Sequence, residues 1–140
     1  MISILLVEDH PILSRSIKSI LSTADLTVVA VAATGEDALA LLPELSVDLA
    51  LIDVSLPGMN GIDLVARLNE TRSDLPCIVL SGHNESIYIR RALAAGARAY
   101  VTKGDVPAIR ESIRRVMAGE RYLSDNLDQG LLDERPTAGR

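Results

Sequence analysis

Glu8 and Asp9 follow one apolar run, Asp53 closes another, Ser81 closes a third, and Lys103 stands just past a fourth. Carboxylates, a hydroxyl and an amine at the ends of strand-like segments are residue types that phosphoryl transfer uses. Brought to one edge, the carboxylates of Glu8, Asp9 and Asp53 would repel one another and raise each other's pKa unless a cation neutralised them. All-oxygen ligation suits Mg²⁺, which accepts one or two carboxylates, keeps several waters and shares phosphate oxygens. Asp53 is the expected nucleophile, because carboxylates form acyl phosphates and it alone ends a run flanked by Leu51, Ile52 and Val54. The metal, Lys103 and the Ser81 hydroxyl would then stabilise charge on the transferred phosphoryl oxygens.

These residues can meet only if the runs that carry them lie side by side. Short segments rich in Ile, Leu and Val occupy residues 2–7, 26–31, 49–54 and 77–80, with a weaker one at 97–101. Their length and β-branched content suit strands buried on both faces. Between them the apolar residues fall at helical spacing: Ile12, Ile17, Ile20 and Leu21; Ala38, Leu39, Leu41 and Leu42; Ile62, Leu64, Val65 and Leu68. Residues 85–95 and 106–118 repeat that pattern. Alternating strands and amphipathic helices imply parallel pairing through right-handed crossovers. The expectation is a three-layer, doubly wound five-stranded parallel α/β domain with the flavodoxin-like strand order 2-1-3-4-5. In such a sheet, ligands sit at the carboxyl ends of the strands, where the chemistry-bearing residues stand. Gly35, Pro57, Gly58, Gly61 and Gly82 fall at expected turns, and Gly96 at the C-terminal glycine position of a helix. The domain is expected over residues 1–118, with 119–140 a linker or flexible tail.

The 140 residues carry 14 Lys and Arg against 19 Asp and Glu, a formal charge of −5, which argues against direct DNA binding. The single cysteine, Cys77, can form no internal disulfide and is read as a core residue. No leader-like N-terminus is visible, and no apolar run reaches the roughly 20 residues a membrane span needs. A cytoplasmic protein is expected.

The motifs Val7-Glu8-Asp9-His10-Pro11, Asp53-Val54-Ser55-Leu56-Pro57-Gly58-Met59-Asn60-Gly61, Leu80-Ser81-Gly82 and Ala99-Tyr100-Val101-Thr102-Lys103 resemble, in that order, the receiver domains of two-component response regulators. The resemblance implies that Asp53 accepts phosphate from a sensor histidine kinase. It implies that Glu8, Asp9 and Asp53 bind Mg²⁺ with the Ser55 backbone carbonyl, and that Lys103 contacts the phosphoryl group. It implies a switch pair, in which the Ser81 hydroxyl swings to the phosphoryl oxygen and the Tyr100 ring moves inward. His10-Pro11 and the stretch 113–124 resemble regulators with a LuxR-type helix-turn-helix output, which would bring DNA contact and transcriptional control only through a domain outside this chain. A homodimer on phosphorylation is implied as well. Such a domain is a phosphoacceptor with only self-phosphotransfer and self-dephosphorylation, and not otherwise an enzyme. Gly104 departs from the pattern, since many receivers place a cis proline after the lysine.

Taken singly, each residue has a plainer reading: Asp53 a turn or cap, Glu8 and Asp9 helix N-terminal acids, Lys103 a solvated lysine, Ser81 a cap hydroxyl. His10 and His83 are read as loop residues, His83 close enough to Ser81 to influence dephosphorylation. Other functions remain in competition. A phosphorylation-independent interaction module would keep the fold, but the acidic set speaks against it. A phosphate-ester hydrolase would want an acid/base partner at Ser55. A nucleotide-binding role lacks a glycine-rich loop.

Overall fold

The apolar runs fold as strands whose alternate side chains feed two separate cores. In the computed structural model, which describes residues 1–134, the order is β1 (Ile2–Val7), α1 (Pro11–Leu21), β2 (Leu26–Ala32), α2 (Gly35–Leu41), β3 (Leu49–Asp53), α3 (Gly61–Thr71), β4 (Cys77–Ser81), α4 (Ser86–Ala95), β5 (Ala99–Thr102), α5 (Val106–Met117) and β6 (Tyr122–Leu123). Every residue of β3 and β4 is buried, as the near-continuous apolar runs require. Leu5, Val7, Ile52 and Val79 face α2, α3 and α4, joining Ala38, Leu64, Leu68 and Ile89. Ile4, Leu6, Leu51, Ile78 and Leu80 face α1 and α5, joining Ile17, Leu21, Ile109 and Ile113. This is the three-layer arrangement expected from the alternation.

Local chemistry sets where each helix begins and ends. Thr34 and Asn60 cap α2 and α3 by accepting the Asp37 and Asp63 N–H groups at 3.0 and 2.9 Å, and Asp105 caps α5. Pro11 opens α1, where its missing N–H costs nothing. Gly96 ends α4 at φ +113°, a left-handed conformation in which a Cβ would also meet Asn69.

The sheet is parallel in the order β2-β1-β3-β4-β5-β6. The expected order holds across the first five strands, and a sixth is added at the β5 edge. The expectation of a linker or tail from Gly119 is therefore corrected for residues 122–134; 135–140 lie outside the described residues. Tyr122 and Leu123 pair with Ala99 and Tyr100, and Leu123, Leu127 and Leu131 are buried in the core shared with α4. The physical reason is the edge itself, a row of unpaired N–H and C=O groups beside apolar side chains that the next segment can cover.

Leu123→Ala is expected to destabilise the domain by about 2–5 kcal/mol, as for a buried leucine. Urea unfolding of the chain checks this, and a change near zero would return residues 122–134 to the status of a tail.

Candidate functional site

Each candidate residue sits where a strand delivers it. Glu8 follows β1, Asp53 ends β3, Ser81 ends β4 and Lys103 follows β5, so all four meet at the carboxyl edge of the sheet. Register holds them there: Asp53 pairs with Leu80 and Ser81 with Thr102, and the Lys103 N–H donates to the Ser81 carbonyl at 2.9 Å. Glu8 and Asp53 are 2% and 1% exposed, unusual for carboxylates.

The Lys103 ammonium donates to Asp53 Oδ2 at 2.9 Å and lies 3.3 Å from Glu8 Oε1. Burial alone would lower the lysine pKa, but the hydrogen bond and charge of Asp53, reinforced by Glu8, outweigh it and hold the ammonium above its ordinary value. The other Asp53 oxygen, Oδ1, accepts the Ser55 N–H at 3.1 Å. The turn after β3 closes tightly, with the Gly61 N–H donating to the Val54 carbonyl at 2.9 Å. A Cβ on Gly61 would stand 2.1 Å from the Asp53 carbonyl oxygen, so only glycine fits.

The donor set fits a divalent cation. One donor atom from each of Glu8, Asp9, His10 and Asp53 lies within 4.8 Å of the others. Glu8 Oε1 and Asp9 Oδ1 are buried without a hydrogen-bond partner among the described residues, although Oε1 is within ion-pair distance of Lys103. A buried acceptor left unmet is costly, and one ammonium does not balance these carboxylates.

Ser81 and Tyr100 are brought together through His83. The His83 N–H donates to Ser81 Oγ at 2.9 Å, and the Tyr100 hydroxyl donates to the His83 carbonyl at 2.6 Å. Tyr100 is already inside, with no exposed surface, and burial pushes its phenol pKa up. The Lys103–Gly104 bond is trans, there being no cis peptide among the described residues, and Gly104 takes φ +86°. Cys77 is the expected core residue, its thiol pushed up to about 12 by burial.

Two residues act otherwise than the sequence suggested: His83 was expected near Ser81, but not as a bridge to Tyr100. His83 acts through its backbone, which no residue type announces. His10, read as a loop residue, places Nδ1 at 2.8 Å from Glu8 Oε2 and 3.2 Å from Asp9 Oδ1; its place directly after the acidic pair was the available signal.

The family model described as response regulator receiver domain matches residues 4–114. The chain is 36% identical over 133 residues to the response regulator GacA of Pseudomonas aeruginosa, covering 94% of this chain and 62% of that protein. It is 36% identical over 127 residues to the nitrate/nitrite response regulator protein NarL of Escherichia coli K12, covering 89% of this chain and 59% of that one. It thus spans about three fifths of the length of these relatives. Among solved structures, a two-component response regulator of the LuxR family from Aurantimonas sp. SI85-9A1 superposes with TM-score 0.87 at 30% identity, covering 95% of this chain and 96% of that one.

The Glu8 hydrogen bond, followed by the charges of Asp9 and Glu8, raises the His10 pKa above 6.5. A raised histidine stabilises the fold below its unfolded pKa, and that contribution is lost as pH rises through the folded value. In metal-free buffer, an NMR titration should place His10 above 6.5 in the native chain, and Glu8→Gln should bring it down; an unchanged value in the variant would disprove the pairing.

Proposed function

The chain belongs to the response regulator receiver domain family, and on that premise we propose that Asp53 accepts a phosphoryl group from a sensor histidine kinase. The observation that carries this reading is the Lys103 ammonium 2.9 Å from Asp53 Oδ2, beside buried oxygens of Glu8 and Asp9 that accept no hydrogen bond. An Asp53 oxygen bonds to phosphorus as the donor's phosphorus–nitrogen bond breaks, and the kinase imidazole leaves with the electron pair. The Ser55 N–H and the Lys103 ammonium orient the carboxylate before attack, and Lys103 is placed to follow the charge onto the phosphoryl oxygens. Glu8, Asp9 and Asp53, with the Ser55 carbonyl, would hold a Mg²⁺, whose charge offsets that of the phosphoryl group.

In this reading Ser81 and Tyr100 are the switch. The Ser81 hydroxyl turns from the His83 N–H to a phosphoryl oxygen, which loosens the His83 segment that also accepts the Tyr100 hydroxyl. Phosphorylation thereby shifts the population of surfaces built on α4 and β5. We propose further a homodimer on phosphorylation and, given the LuxR family of the Aurantimonas regulator, transcriptional control through a DNA-binding domain outside these residues. The domain has no catalytic activity beyond its own phosphorylation and dephosphorylation. No helix among the described residues is long and apolar enough to cross a membrane, and a cytoplasmic location fits a kinase partner.

Incubated with acetyl phosphate and Mg²⁺, the native chain should gain one phosphoryl group by intact mass. Asp53→Asn should gain none, and Lys103→Ala should react about 100-fold more slowly, as for loss of one charge-stabilising donor. Labelling of Asp53→Asn at the native rate would overturn the assignment.

A further inference from the structure

The cation site read above is built of oxygen donors, yet an imidazole stands among them. His10 Nδ1 is 2.8 Å from Glu8 Oε2 and 3.2 Å from Asp9 Oδ1. In an octahedral site with donors about 2.1 Å from the ion, neighbouring donors stand roughly 3.0 Å apart and opposite ones about 4.2 Å. The His10 separations are those of neighbouring donors, and the 4.8 Å span of the four-residue set needs only a small contraction to close on an ion. Backbone geometry holds the ring there. Pro11 opens α1 directly after His10, and the His10 N–H donates to the same Glu8 oxygen at 3.1 Å. His10 is the N-cap residue of α1 but makes no side-chain capping bond, so its ring is not committed to the helix.

We infer that His10 is a nitrogen ligand of this site, which consequently prefers a divalent transition-metal ion to Mg²⁺; the inference rests on reading the acidic cluster as a cation site. Glu8 Oε1 and Asp9 Oδ1 are buried without a hydrogen bond, with only the Lys103 ammonium and the His10 ring near them, and so favour a bound cation without choosing which. His10 makes the choice. A hard Mg²⁺ ion keeps its waters and gains little from replacing one with nitrogen. Ions further along the affinity series bind imidazole more strongly. The ring is 62% exposed, so an ion entering from solvent can draw it in without disturbing either core.

The test uses the untagged chain, whose histidines are His10 and His83 alone, loaded with Mn²⁺ and examined by electron spin-echo modulation. The native protein and His83→Ala should show ¹⁴N coupling from a bound imidazole, and His10→Ala should lose it while still binding Mn²⁺. Calorimetry should find Co²⁺ binding weakened about tenfold in His10→Ala, with Mg²⁺ binding nearly unchanged. Mn²⁺ bound in the native chain without ¹⁴N coupling would overturn the ligand role of His10 and leave the oxygen-lined site standing. Failure of the native chain to bind Mn²⁺ or Mg²⁺ would overturn both.

Discussion

Glu8 and Asp53 are carboxylates almost wholly removed from water and set side by side, and the rest of the domain is arranged around the one ammonium that reaches both. An unpaired charge in such surroundings costs several kcal/mol, so Lys103 has to arrive from two strands beyond β3 with its Nζ within 3.3 Å of each. That demand fixes the register of β3, β4 and β5, since a one-residue slip would turn Asp53 and Ser81 to the opposite face. It also explains Gly61: the turn after Asp53 must fold back so closely that no Cβ fits against the Asp53 carbonyl.

The pairing that stabilises this cluster leaves it incomplete. Lys103 satisfies Asp53 Oδ2, while Glu8 Oε1 and Asp9 Oδ1 stay without a hydrogen bond. Unmet buried acceptors are uncommon in folded proteins, and where they gather at strand ends they mark a place kept for a ligand. Stability and function pull against each other there, and the two flanking cores carry the cost.

The strand order, the layers and the convergence of Glu8, Asp53, Ser81 and Lys103 were legible because each rests on a strong local signal, an apolar run ending in a polar residue. Strand β1 matches its expected run, and the other strands differ from theirs by one or two residues at an end, as at β5, where pairing begins at Ala99 instead of residue 97. Two-residue β6 was not legible, because Tyr122 and Leu123 stand alone among Glu120, Arg121, Ser124 and Asp125, and only an open edge beside them makes a strand of so short a pair. The His83 backbone bridge was illegible for a different reason: any residue with an N–H and a C=O could make it.

Strand β5 links the site to the segment that the sequence had assigned to a tail. Tyr100, Thr102 and Lys103 succeed one another along it and just beyond its end. The Tyr100 carbonyl accepts the Ser124 N–H at 3.1 Å, and the Thr102 N–H donates to Ser124 Oγ at 3.0 Å. Residues 122–134 therefore register the position of β5 directly. What holds them is apolar. The exposed Arg90–Glu134 pair, although two-pronged at 2.9 and 3.0 Å, is screened by solvent and contributes little. Each fully buried leucine is worth about 1.5–3 kcal/mol, and Leu123, Leu127 and Leu131 all lie in the core shared with α4 and Tyr100. A movement of Tyr100 or α4 thus changes the packing under this segment before it changes any surface charge, so the contacts that join the strand-end site to residues 122–134 run through that core.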